Sequence, residues 1–201
     1  MEVSGTGTEW PMPQDMEENA QLRHRLTSAT RGTYVNLANL DGLSDAMLAH
    51  VSTMKHLTSI NLNSSSGFSA EGIKHLYSLP RLEMLYIAHT NVSDDALEGI
   101  GSLVCLKILV LGHTKVTDAG LQHLTDLPSL KALGLSGCKG VTSAGVVHVG
   151  RLTGLERLVL DGTAVTDDGL QQLTALTNLR TLYTPEGGRL DNEAAGRRIG
   201  R

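Results

Sequence analysis

The feature that most constrains this chain is self-similarity at a fixed period. Taking one leucine-type position as a marker gives Leu37, Leu62, Ile87, Leu111, Leu135, Leu160 and finally Thr184 in a half-unit. The successive spacings are 25, 25, 24, 24, 25 and 24 residues. Each longer unit carries one extra residue in the same loop, where Asp41-Gly42, Ser66-Gly67 and Lys139-Gly140 replace single Asn91, Lys115 or Ala164. A period of this length, with insertions confined to one loop, belongs to a stacked solenoid whose units cannot bury their apolar faces alone.

Within each unit the apolar period switches. Val35/Leu37, Ile60/Leu62, Leu85/Ile87, Leu109/Leu111, Leu133/Leu135 and Leu158/Leu160 alternate as a strand does. A helical stretch follows, with apolar residues three apart, as in Leu121, Leu124 and Leu127. Ser44, Ser69, Ser93, Thr117, Thr142 and Thr166 open these helices at one phase. Such a hydroxyl accepts a free N–H of the first turn, and the Asp that follows four of them suits the positive end of the helix dipole. The expected fold is an α/β solenoid: a parallel inner sheet of about seven strands, helices outside, strands centred on Asn36, Asn61, Tyr86, Val110, Gly134, Val159 and Tyr183.

The units resemble the leucine-rich repeat, L-x-x-L-x-L-x-x-N/C-x-L, over residues 33 to 184. The opening Thr117-Asp118-Ala119-Gly120-Leu121 is similar to the cysteine-containing repeats of F-box proteins and to GALA-type repeats of bacterial effectors. The resemblance implies a horseshoe with helices on its convex side. One position departs from the pattern: the inner Asn or Cys is Leu40, Ser65, Thr90, Thr114, Cys138 and Thr163 here. Thr has one donor fewer than Asn, so a weaker inner ladder is expected.

The ends of a solenoid need caps. Residues 1–32 are read as a mobile start (1–13) and a capping helix (14–29) carrying Met16, Leu22, Leu26 and Ala29 on one side. The helix has Asp15, Glu17 and Glu18 in its first turn and Arg23 and Arg25 near its end. Residues 33–185 are the repeat domain. Residues 186–201, Gly- and Arg-rich with Leu190 and Ile199, are expected to be disordered, and Pro185 to blunt the last edge.

Composition narrows the function. Net charge is −4, so no nucleic-acid partner is expected. The longest apolar stretch, Leu103 to Leu111, is broken by Lys107, so no membrane span is expected. The start MEVSGTGTEW has neither a basic region nor an apolar core, so no secretory signal is read, and two cysteines fit a reducing, cytoplasmic setting.

No nucleotide-binding, zinc-protease or hydrolase motif occurs, so an enzyme is not expected. Gly134, Gly137 and Gly140 form a glycine series read as strand and loop geometry of one repeat. His50, His75, His123 and His148 recur at one helical phase and read as packing. His89 and His113 occupy equivalent positions in successive units, about 5 Å apart if the units stack. The equivalent residues elsewhere are Ser64, Gly137 and Gly162, so the pair reads as a surface feature, with no metal site or cofactor expected.

The outward strand positions carry the functional signal. An exposed sheet face is ordinarily polar, yet this one presents Met84, Tyr86, Ile108, Val110 and Val159, with a shallow floor of small residues at Ala132 and Gly134. Contiguous apolar surface of this kind marks a binding site. The candidate partner-binding residues are Tyr34, Met84, Tyr86, His89, Ile108, His113, Val110, Arg157, Val159, Asp161 and Tyr183. The sequence thus reads as a scaffold that binds a protein partner on its concave face, as part of a larger assembly. The alternative is substrate recognition for a ubiquitin ligase, although residues 1–32 show no F-box-type helix bundle.

Overall fold

Each unit places one buried aliphatic residue between two outward ones, and a three-residue strand forms there. In the computed structural model, which describes residues 20–29 and 32–200, these strands are β1 (Tyr34–Asn36), β2 (Ser59–Asn61), β3 (Met84–Tyr86), β4 (Ile108–Val110), β5 (Ala132–Gly134), β6 (Arg157–Val159) and β7 (Thr181–Tyr183). They pair in parallel with one register, so Val35, Ile60, Leu85, Leu109, Leu133, Leu158 and Leu182 form a single buried file. The residues expected at strand centres are instead the last residues of their strands. The chain leaves the sheet early because a left-handed residue follows two positions after each marker in the first six units: Asn39, Ser64, His89, His113, Gly137 and Gly162.

On the convex side run α2 (Asp45–Val51), α3 (Ala70–His75), α4 (Asp118–Leu121), α5 (Ser143–Val149) and α6 (Asp167–Leu170). The hydroxyls of Ser44, Ser69, Thr117, Thr142 and Thr166 accept first-turn N–H groups. The Asp after the cap does more than face a dipole. Asp94 accepts from the backbone N–H (2.8 Å) and the hydroxyl (2.6 Å) of Thr117 in the next unit. Asp45 holds Ser69 in the same way, and Asp118 holds Thr142.

This ladder explains the glycine of the motif. A Cβ on Gly72, Gly120 or Gly145 would lie 2.2–2.3 Å from the carboxylate oxygen of the preceding unit. One joint lacks the device. Ala70 stands where the others have Asp or Ser143, and the residue facing it is Ala96 rather than glycine. Ser93 there makes no side-chain cap, and its unit winds only into 3-10 turns over Asp94–Leu97 and Ile100–Ser102. Ala70→Asp combined with Ala96→Gly should extend the ladder and stabilise the fold by about 1 kcal/mol, or roughly 2–4 °C in Tm. Ala70→Asp alone should give no gain, because the Ala96 methyl fills the space for the carboxylate. Thermal melts in which the single variant matches the double would refute the pairing.

The inner ladder is sparse. Ser65 donates to Leu37 O at 2.7 Å and Cys138 to Leu111 O at 3.1 Å, both across units. Thr90, Thr114 and Thr163 donate to the carbonyl three residues back in their own unit. These threonine hydroxyls close their bonds within one unit and donate no rung between units.

Helix α1 (Ala20–Ala29) packs Leu22, Leu26 and Ala29 against the first unit. Arg25 donates to Ala38 O at 2.7 Å and to Asn36 O at 3.3 Å, occupying edge acceptors of the first unit. The expected mobile stretch 1–13 and the expected first helical turn, with Asp15, Met16, Glu17 and Glu18, lie outside the described residues.

Residues 186–200 overturn the expectation of a disordered tail. After Pro185 the chain turns at Gly187 (φ 86°) into β8 (Arg189–Asp191), which pairs antiparallel with β7, then into α7 (Asn192–Arg198). Ala195 and Ile199, four residues apart, are fully buried against the last unit. Arg198 pairs with Asp167, the cap-following Asp of the last unit, which has no further repeat to hold. Sparse apolar residues suffice here because they need seal only one end. The edge of β7 is covered by β8, not blunted by Pro185.

Candidate functional site

The concave face is built by the outward residues of the strands, and Tyr86 divides it into two hollows. Toward β1 lies a hollow of about 490 Å³ that Tyr34, Asn61, Asn63, Met84 and Tyr86 help to line. It is mixed in character: Asn61 and Asn63 spend their side-chain oxygens on backbone N–H groups of Asn63 and Ala88. Tyr34 stands exposed at its end, and the Tyr86 hydroxyl reaches Met84 Sδ at 3.6 Å.

Toward β6 lies a second hollow of about 500 Å³, more strongly apolar. Tyr86, Ile108, Val110 and Val159 form its walls, Ala132 and Gly134 its floor, and Arg157 its rim. The walls are half-buried, so they present apolar surface without entering the core. Asp161 does not join this hollow: the Ser136 hydroxyl donates to its carboxylate at 2.6 Å. Tyr183, on the last parallel strand, lines neither hollow. Ala132 and Gly134, read from the sequence as a floor of small residues, complete the hollow together with Ser136.

The three glycines of this unit turn out to be unlike. Gly137 has φ 67°, and a Cβ there would meet the His113 ring at 2.4 Å. Gly140 is pressed against Thr117, whose Cγ2 would lie 2.7 Å from an added Cβ. Gly134 is free of both constraints: its φ is not positive, and an added Cβ would find Val110 at an ordinary 3.4 Å. Loop geometry accounts for the first two and not for the third.

His89 and His113 stack with ring centroids 4.4 Å apart and planes 13° from parallel. Both are left-handed, with φ near 55°, a conformation in which histidine is among the better-tolerated side chains. The stack ends on Gly137. It lines a separate polar hollow at the loop rim, with Ser64, Thr90 and Asn91, and does not join the apolar one. Among the described residues no group of three or more His, Cys, Asp or Glu could hold a metal ion.

Parallel three-residue strands at a 24- or 25-residue period, with an apolar core and short helices outside, define the architecture. The fold is a leucine-rich repeat solenoid. Solved structures of internalins, which are leucine-rich repeat proteins, share it. An internalin (inlF) from Listeria monocytogenes matches with a TM-score of 0.66 at 19% identity, over 88% of this chain and 53% of that one. Internalin C2 from the same organism matches with a TM-score of 0.65 at 19% identity, over 82% of this chain and 73% of that one. The chain thus spans about half the length of the first internalin. At such identity the likeness is one of fold alone. No protein-family model and no curated protein matches the chain. Among the described residues no helix is long and apolar enough to cross a membrane.

Proposed function

We propose that the chain is a protein-interaction scaffold that seats a partner on its concave sheet. The observation that carries this reading is the apolar hollow between Tyr86 and Val159, on a sheet face where polar residues are the rule. Tyr86 is its best anchor, being large, central and amphipathic. Met84, Ile108, Val110 and Val159 extend the apolar contact. Arg157 and Asp161 flank it with charge, Tyr34 and Tyr183 mark the ends of the surface, and the His89–His113 stack borders it at the rim. The two free thiols, Cys105 and Cys138, suit a reducing compartment, in keeping with a cytoplasmic protein.

Tyr86→Ala combined with Val110→Ser should abolish partner recovery in affinity purification, since loss of one such anchor costs about thirtyfold or more. Thermal unfolding should barely change, because both side chains lie outside the buried file. Gln122→Ala, exposed on the convex side, should alter neither quantity. Full recovery of partners by the double variant would overturn the concave-face reading. One stoichiometric partner set fits a scaffold subunit. Ubiquitin-ligase subunits in the eluate would instead favour the substrate-recognition role that the F-box-type openings imply.

A further inference from the structure

Two observations on the concave face have no structural explanation, and they lie side by side. The first is Gly134. A glycine in a strand gives up more backbone entropy on folding than any other residue and offers no side chain to pack. Here neither φ nor crowding requires it, since an added Cβ would make only ordinary contact with Val110. A strand glycine at neither a bulge nor a bend often lies where a ligand or another backbone approaches closely.

The second is Arg157. At the strand entrances, charges pair between units: Lys107 with Glu83 at 2.9 Å, and Lys131 and Arg180 with Glu156 at 3.4 and 3.5 Å. Arg157 follows Glu156 directly, yet points the other way, to the rim of the apolar hollow. It is exposed, and its guanidinium makes no hydrogen bond or ion pair with any of the described residues. The other charged side chains on this face are engaged: Asp161 accepts from Ser136, and Arg189 pairs with Asp191 at 2.9 Å on β8. The hollow therefore combines an apolar floor with one unspent cation.

We infer that the hollow binds an acidic peptide segment of a partner protein: an aliphatic or aromatic side chain sits over Gly134, and a neighbouring carboxylate pairs with Arg157. This rests on the concave-face reading and adds the chemistry of the occupant. Ala132 pairs in register with Arg157, and Gly134 with Val159. The two subsites are thus one strand and two residues apart, about 8 Å between Cα atoms. Two or three residues of extended peptide cover that span. The planar guanidinium can take a carboxylate through two parallel hydrogen bonds, which fixes the direction of the segment.

The test is selection of a displayed random peptide library on the whole protein, followed by affinity measurement of the enriched peptides on variants. The expected result is enrichment of sequences with an apolar residue two or three positions from Asp or Glu. Arg157→Glu should weaken these peptides by about tenfold or more, and a fresh selection on that variant should favour Lys or Arg instead. Gly134→Val should weaken them similarly by filling the floor. Gly134→Ala, which the backbone accommodates without strain, should give an intermediate loss with an unchanged melting profile. Enrichment without acidic residues, no enrichment at all, or indifference to Arg157→Glu would overturn the inference. If such peptides still lose affinity on Tyr86→Ala with Val110→Ser, the concave-face reading survives; if they ignore that variant also, both fall.

Discussion

Leu109→Ala should lower the unfolding free energy of the solenoid by about 2–5 kcal/mol. Leu109 is fully buried in the middle of the aliphatic file, between Leu85 on β3 and Leu133 on β5. Truncation removes three methylene-sized groups from a site whose walls cannot close in. The neighbouring strands are held by ladder bonds such as Ile108 N–H to Glu83 O (3.0 Å) and Leu111 N–H to Gly134 O (2.8 Å). The cavity therefore persists, and the cost lies above simple transfer of the lost apolar surface. Urea unfolding should show a lower midpoint. A shallower slope as well would show that the defect has uncoupled the two halves of the array, since each unit is stabilised mainly by its neighbours. Gly112→Ala is the control. Its Cβ would meet Ser136 O at 3.1 Å, so it is not free, but the neighbour need yield only a few tenths of an ångström. Equal midpoints for the two variants would mean that the faces of the strands are wrongly assigned.

The strand register was legible because two independent periods agree on it. Alternation by two and recurrence at 24 or 25 residues both select the file from Val35 to Leu182. The C-terminal cap was not legible, because Leu190, Ala195 and Ile199 show no run or alternation. Their value appears only when β8 and α7 lie against the open end of the array. The stacking of His89 and His113 followed in part from their equivalent positions. Its closeness depends on the shared left-handed backbone and on the missing side chain of Gly137, neither of which a spacing contains. The apolar walls at Ile108 and Val110 came from alternation alone. That Gly134 has room for a side chain is a fact about Val110 across the strand gap.

The Asp–Gly pairing across units is a further case, since its members lie 26 or 27 residues apart and look unremarkable within one unit. It also yields the second large effect. Gly120→Ala should destabilise the protein by about 2–4 kcal/mol, the reverse of the gain of about 1 kcal/mol that alanine brings to an exposed helix. The new methyl would lie 2.3 Å from Asp94 Oδ1 and 3.1 Å from both Asp94 Cγ and Leu97 Cδ1. Asp94 can make room only by giving up its two charge-assisted hydrogen bonds to Thr117. Asp94→Ala alone loses the same two bonds and should cost a comparable amount. The double variant then recreates the Ala70–Ala96 joint that this chain already tolerates. Its cost should fall short of the sum of the single costs by more than about 1 kcal/mol, because the clash and the lost bonds are one event counted twice. A double-mutant cycle by urea unfolding measures that coupling directly. Additive costs would show that glycine is required at this position for some reason other than the carboxylate of the preceding unit, and the ladder would then be a consequence of the fold and not one of its constraints.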